Sequence, residues 1–195
     1  MMWKSVCVLG TLVACLPVWG QSPYKTSAPE KEKIIEELTY YYEVSSYTPP
    51  VQVDVTKTAN PITPEGAAMQ MLAIMHAQDY DRWFSLWTPE SQALMKEQYK
   101  KNGTNPDTFK NAWAKLFAGH TVALTKKIET GPYVIVIVTL SPATPTAAPA
   151  QPIETELVFK QVNGTWMPTQ EMASDPVLDN WKTPNTVTRR VVRSK

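Results

Sequence analysis

The chain has 195 residues, which fits one domain and excludes a large multidomain machine. Nineteen Lys and Arg stand against 18 Asp and Glu, so bulk charge excludes a strong polyanion binder. A hydrophobic share of 43% excludes a mainly disordered chain, and 17 Pro against seven Gly predict stiff connections.

Residues 1–21 have the grammar of a secretory signal. Lys4 supplies the positive region, residues 5–15 a short apolar run, and Val18-Trp19-Gly20 a small-residue cleavage site before Gln21. Leu12-Val13-Ala14-Cys15 also resembles the bacterial lipoprotein box, in which Cys15 would be lipidated and become the first residue. The apolar Leu16-Pro17-Val18-Trp19 that follows favours soluble export, and a retained signal anchor is a third option. The run is shorter than the ~20 apolar residues a spanning helix needs. Cys7 and Cys15 both fall in this segment, so cleavage after Gly20 leaves no thiol for a disulfide, a nucleophile or a metal. The expected location is periplasmic or exported, with a membrane-anchored lipoprotein as the alternative.

Residues 21–60 read as an N-terminal extension lying against the domain, or as a tyrosine-rich docking arm. Residues 31–38 are charged and predict a short helix. Residues 39–44 and 51–55 have strand composition, with Pro49-Pro50 between them. Helices follow. Thr63-Pro64-Glu65 is a helix start, with Ala68, Met71, Leu72 and Met75 on one face and His76 at the end. Asp79-Tyr80-Asp81 starts a second helix carrying Trp83, Phe84, Leu86 and Trp87. Thr88-Pro89-Glu90 starts a third, through Leu94, Met95 and Tyr99, stopped by Asn102-Gly103. Asn105-Pro106-Asp107 starts a fourth, with Phe109, Ala112, Trp113, Leu116 and Phe117 on its apolar face, ended by Gly119.

The period then changes from helical to alternating. Val122, Leu124 and Ile128 alternate with polar residues, and Lys126 breaks that apolar face. Residues 133–140 are continuously apolar and β-branched, which predicts a central strand buried on both faces. Residues 141–152 carry Pro142, Pro145, Pro149 and Pro152 and are read as a non-strand connection projecting from the sheet edge, mobile or clasped by a partner. Ile153, Thr155, Leu157 and Phe159 form the apolar side of a half-buried strand. Asn163-Gly164 is a hairpin turn leading to a last strand, Thr165-Trp166-Met167, with Pro168 near its end. Helices first and antiparallel strands afterwards predict an α+β fold, with N-terminal helices packed on a curved antiparallel sheet and a Pro-rich insertion between two strands.

The order of Thr63-Pro64-Glu65-Gly66-Ala67-Ala68, His76-Ala77-Gln78-Asp79-Tyr80-Asp81, Leu86-Trp87-Thr88-Pro89-Glu90-Ser91 and the closing Phe159-Lys160-Gln161-Val162-Asn163-Gly164-Thr165-Trp166 resembles the nuclear-transport-factor-like, or cystatin-like cone, superfamily. The resemblance covers roughly residues 63–172 and is nearest to exported bacterial members, many of them lipoproteins. It implies a cone-like α+β domain with a cavity between helix and sheet, and no single function. The implied layout is a signal at 1–20, an extension at 21–60, the cone-like domain at 61–172 and a basic tail at 173–195.

Chemistry is sparse. No phosphate-cradling run, Gly-x-Ser-x-Gly or His-Glu-x-x-His is present, and no cofactor is implied. His120 follows a helix end, where it caps carbonyls. His76, Asp79 and Asp81 could build a His/Asp dyad or part of a metal site, but spacing alone is weak evidence and a hydrogen bond stabilising the bend is the favoured reading. Tyr80, Trp83, Phe84, Trp87 and Trp113 could line an apolar pocket, and an aromatic stripe at this spacing is more often core. The basic tail, with Arg189, Arg190, Arg193 and Lys195, could touch anionic lipid or lie in solvent. The function these readings imply is a non-catalytic exported binding or assembly module, with other envelope proteins or a second copy of itself as partners. An accessory part in an envelope-spanning secretion or conjugation apparatus is one version. No nucleic acid is implied, and membrane contact would run through Cys15 lipidation or the tail. The alternative is a small-molecule isomerase, dehydratase or hydrolase acting inside the domain. Mass spectrometry of the native protein should find a first residue at or near Gln21, or a lipidated Cys15; an intact Met1 on a cytosolic protein overturns the compartment.

Overall fold

The computed structural model describes residues 33–144, 151–182 and 186–194. The chain divides into two compact units, Ile35–Val191 and a terminal one of Met1–Ile34 with Val192–Lys195, most of which lies outside the described residues. In chain order the elements are β1 (Lys33–Tyr41), β2 (Glu43–Gln52), α1 (Pro64–His76), α2 (Tyr80–Leu86), α3 (Pro89–Asn102), α4 (Pro106–Phe117), β3 (His120–Thr130), β4 (Tyr133–Pro142), β5 (Ile153–Val162), β6 (Thr165–Pro168), α5 (Pro176–Asn180) and β7 (Thr186–Ser194). The fold is α+β. Strands β2-β3-β4-β5-β6 form a five-stranded antiparallel sheet in that order, and β1 pairs with β7 in a separate two-stranded sheet. Residues 33–38 are therefore strand rather than the short helix expected from their charge. Ile34, Ile35 and Leu38 do not repeat over enough turns to nucleate a helix in isolation, so strand pairing prevails. No helix among the described residues is long and apolar enough to cross a membrane.

One device starts most of the helices. Thr63, Thr88, Asn105 and Asp175 are N-caps, and each is followed by Pro at the first helical position, where a missing N–H costs nothing. The Thr63 hydroxyl accepts from Gly66 N at 3.0 Å and Asn105 Oδ1 from Thr108 N at 3.1 Å. Asp79 caps α2 in the same way, accepting from Arg82 N at 3.1 Å. Gly103, in the left-handed region at φ 64°, closes α3. The α1 face read from the sequence is the buried one, through Ala68, Met71 and Leu72. Leu94 is an exception: it is 47% exposed, because α3 turns only Ser91 and Met95 fully inward.

Strand β4 is central and buried on both sides. Val134, Val136, Val138 and Leu140 pack with the helices in one core, while Ile135 and Ile137 join Tyr42, Ile128, Met172, Val177 and Trp181 in a second. Each buried Val or Ile contributes ~1.5–3 kcal/mol by leaving water, so β4 anchors both layers. The break at Lys126 has a simple cause. Leu124 pairs with Val138 but Lys126 pairs with Ile137, so Thr125 is an extra, bulged residue. The bulge turns Lys126 and Ile128 to the opposite face from Val122 and Leu124. The Thr125 hydroxyl lies 3.0 Å from that of Thr139.

Three further expectations change. Pro49-Pro50 does not separate two strands but lies inside β2, in a register shift between Ser46 and Val51. Two residues without N–H are tolerated there because β2 is an edge strand and the shift removes them from the ladder. Ser141 and Pro142, read as part of the connection, end β4 opposite Thr121 and His120. Ala143 N donates to Gly119 O at 2.8 Å, so the adjacent Pro142 nitrogen faces away from β3. On that side β5 begins only at Ile153, opposite Leu140, and no ladder bond is lost. Residues 145–150 of the Pro-rich insertion lie outside the described residues. Ile153, at the strand end, is 45% exposed, whereas Phe159 is fully buried. The Asn163-Gly164 turn behaves as read: both residues have positive φ, 50° and 82°, and Val162 pairs with Thr165.

Residues 43–52 of the expected extension thus supply a sheet edge, and residues 173–182 of the expected tail place Val177 and Trp181 in the second core.

The α1 start is fixed by a close approach. A Cβ on Gly66 would overlap the Asn60 carbonyl oxygen and come within 3.2 Å of the Thr63 hydroxyl that caps the helix. Gly66→Ala should therefore destabilise the protein by about 1–3 kcal/mol, as overpacking does. Urea unfolding measures this, and an unchanged midpoint would mean that the loop at Asn60 moves freely.

Candidate functional site

The residues singled out for chemistry separate into two groups. His76 ends α1, Asp79 caps α2 and Asp81 sits in the first turn of α2; all three are exposed. His76 packs its ring edge-on against Phe117, with centroids 5.6 Å apart, and Asp79 is engaged with Arg82 N. His76, Asp79 and Arg82 border an open groove of about 360 Å³, walled by Val55, Thr56 and Thr58 and floored by Ala73, Ile74 and Ala77. Asp81 does not line it. The groove holds a His and an Asp but no buried acid or base, so its chemistry is that of a hydrated polar rim. The described residues hold no group of three His, Cys, Asp or Glu able to take a metal. His120 Nδ1 lies 2.9 Å from the Ala118 carbonyl, the capping position its sequence context predicts.

A second depression, about 320 Å³, has Ala67 and Gln70 of α1, Ser85 and Leu86 of α2, Pro61, and the β5–β6 hairpin around it. The two lie end to end along the α1–α2 hairpin, because the C-terminus of α1 meets the N-terminus of α2 in one and the opposite ends border the other.

The aromatic residues form the other group, and they do come together. Tyr80, Trp83, Trp87 and Trp113 join Phe84, Tyr99 and Phe109 in a cluster held between α2, α3 and α4. Trp83 is its hub, 5.2 Å from Trp113, 5.3 Å from Phe109 and 5.4 Å from Trp87 between ring centroids. Tyr80 lies 5.4 Å from Phe109, and Tyr99 lies 5.0 Å from it. Edge and tilted ring pairs of this kind stabilise by ~0.5–1.5 kcal/mol each beyond their burial. Trp83 and Trp113 are each only 5% exposed. The interior between helices and sheet is thus filled by Trp83, Trp113, Met71 and Met95.

Tyr99 and Phe109 belong to this cluster although they stood out in the sequence only as apolar helix positions. The i, i+4 spacing of Phe109 and Trp113 is the signal that places them on one face. Thr88 stood out in the sequence only as a helix start, and the hydroxyls of Ser91 and Thr169 carried no signal of their pairing. Thr88 donates to Ser91 Oγ at 2.8 Å, Ser91 Oγ lies 3.3 Å from Thr169 Oγ1, and Gln170 N donates to Ser91 Oγ at 2.9 Å. With Thr88 N donating to Pro168 O at 3.0 Å, this buried knot ties the start of α3 to the end of β6. On the surface beyond it, Glu171 accepts from Lys160 Nζ at 2.8 Å and then from Tyr133, which hold its carboxyl below the ordinary range.

Comparison with known families, curated proteins and solved structures found no match to this chain.

Burial, and then the neighbouring Tyr80, pushes the Tyr99 phenol up to about 12 from an ordinary 10.0. A raised acid pKa means that the fold favours the neutral phenol. The contribution is complete below pH 10 and is lost as pH rises through 12. An alkaline unfolding transition should therefore accompany Tyr99 ionisation in that window, followed by ultraviolet difference absorbance. Tyr99→Phe should remove that phase, and its persistence would assign the transition elsewhere.

Proposed function

We propose that this protein is a non-catalytic, exported binding or assembly module built on a cone-like domain of the nuclear-transport-factor-like kind. The observation that carries this reading is the filled interior: Trp83, Trp113, Met71 and Met95 occupy the space between helices and sheet where a reaction cavity would lie. An isomerase, dehydratase or hydrolase working there needs a desolvated acid or base. His76, Asp79 and Asp81 instead sit exposed at the helix bend. Recognition then falls to the outside, where the two grooves along the α1–α2 hairpin offer an Ala, Ile and Leu floor with a Thr, Gln, Asp and Arg rim. The partners are other envelope proteins or a second copy of this chain, and an envelope-spanning secretion or conjugation apparatus is the concrete setting. The cone-like description is supported by helices packed against one face of an antiparallel meander that carries a bulge in β3.

Crosslinking in intact cells, followed by recovery from membrane extracts, tests the reading. A discrete crosslinked complex that Arg82→Glu or Gln70→Arg abolishes, with the thermal midpoint kept, is the expected result. Recovery as a free monomer after crosslinking overturns it.

A further inference from the structure

The main sheet guards both of its edges. Edge strand β2 carries Pro49-Pro50 in a register shift, and edge strand β6 is four residues long and ends on Pro168. Proline, irregular register and short length are devices that keep a sheet edge from pairing with another chain. The second sheet has none of them. It consists of β1 and β7 alone, so among the described residues each strand has one unpaired edge. Each runs for nine residues, Lys33–Tyr41 and Thr186–Ser194, without Pro or Gly. Thr186, Val187, Thr188, Val191 and Val192 give β7 a β-branched majority, the composition that suits pairing.

A two-stranded sheet is marginal by itself, and a third strand gives it a further ladder of hydrogen bonds. The base of this one is fixed. Tyr42, between β1 and β2, and Trp181, in the segment that leads to β7, are buried in the same core, and Thr130 donates to the Tyr41 carbonyl at 3.1 Å. Charge then selects what can be added. β7 holds Arg189, Arg190 and Arg193 and no acidic residue, whereas β1 mixes Lys33 with Glu36 and Glu37. Charges at an edge repel a strand of like sign and attract one of opposite sign, so they choose a partner rather than close the edge. The ribbon as a whole is net positive, which disfavours a second copy of itself.

We propose that the free edge of β7 is a docking site for an extended acidic segment of a partner protein, which joins β1 and β7 as a third strand. Main-chain hydrogen bonds along β7 hold the segment, and the three arginines select its carboxylates. This deepens the assembly reading and rests on it, but it uses none of the groove residues along α1 and α2.

The probe is a synthetic peptide of alternating Glu and Val, matched to the nine residues of β7, and the sample is the full chain labelled with 15N. Saturable amide shifts along residues 186–194 are expected, with those of β3 and β4 unmoved. The same peptide N-methylated at alternate residues on its bonding edge should bind at least about tenfold more weakly, because it loses several backbone donors. A Lys-for-Glu peptide should not bind, and added salt should weaken the Glu peptide several-fold. Combined Arg189→Glu, Arg190→Glu and Arg193→Glu, with the thermal midpoint kept, should reverse the preference between the two peptides. Absence of a saturable shift in the wild-type protein, or equal binding of the N-methylated peptide, overturns strand addition. Equal binding of the Lys peptide overturns the acidic partner. Binding to phosphatidylglycerol vesicles without peptide binding assigns the edge to a lipid surface, and self-association that protects the β7 amides assigns it to a second copy; either overturns the proposal. In the intact-cell crosslinking, a complex lost in Arg82→Glu but kept in the triple variant overturns strand addition and leaves the assembly reading standing. No crosslinked complex at all overturns the assembly reading, whatever the titration shows.

Discussion

A single extra residue in β3 decides which side chains meet on each face of the main sheet. Without the Thr125 bulge, strict alternation would carry Val122, Leu124, Lys126 and Ile128 along one face and bury a lysine among Val136, Val138 and Trp113. With it, Val122 and Leu124 serve the helical core, while Ile128 serves the second core. The strand that pairs through this irregularity is β4, whose unbroken apolar run is what a strand between two cores requires. Bulge and run are therefore two halves of one arrangement.

Turning Lys126 to the far face gives it a specific neighbour. Its ammonium lies 4.7 Å from the centroid of the Trp181 ring, and Lys182 lies 5.0 Å from the same ring. The Trp181 indole donates to Glu156 at 3.2 Å, and Lys182 pairs with Glu154 at 2.8 Å. The charged side of β5, which alternates with Thr155, Leu157 and Phe159, is thus a binding surface for the segment that carries α5. Contacts between a cation and a ring contribute ~0.5–2 kcal/mol depending on desolvation. Removing Val177, Met172 and Trp181 from water stabilises the segment more than these contacts do.

Local grammar was legible from the residues wherever it could be satisfied within a few positions. The Pro-following N-caps at Thr63, Thr88 and Asn105, the Gly103 stop and the Asn163-Gly164 turn need only their own neighbours, and each forms as read. What escaped depends on partners far along the chain. Residues 33–38 become strand because β7 pairs with them about 150 residues later, and Pro49-Pro50 enter β2 because an edge strand tolerates a register shift. Val177 and Trp181 are core only because the bulge and β4 present Ile128, Ile135 and Ile137 to them. In the candidate site the same division holds: the α2 aromatics were visible as a stripe, whereas the knot joining Ser91 to Thr169 spans 78 positions and leaves no periodic trace.

These two kinds of contact give the helical layer an uneven hold. Helix α1 is built into the sheet through Ala68, Met71 and Leu72, and α4 through Trp113. Both bury large side chains against β-branched residues of β3 and β4, so moving them would open the core. Helix α3 has Met95, the half-buried Tyr99 and the hydroxyls of Ser91 and its cap Thr88. Hydroxyl hydrogen bonds exchange readily for bonds to water at ~0.5–1.5 kcal/mol each, whereas a large buried apolar side chain is held by ~2–5 kcal/mol. Of these two kinds of hold, the hydroxyl knot at the start of α3 is therefore the weaker.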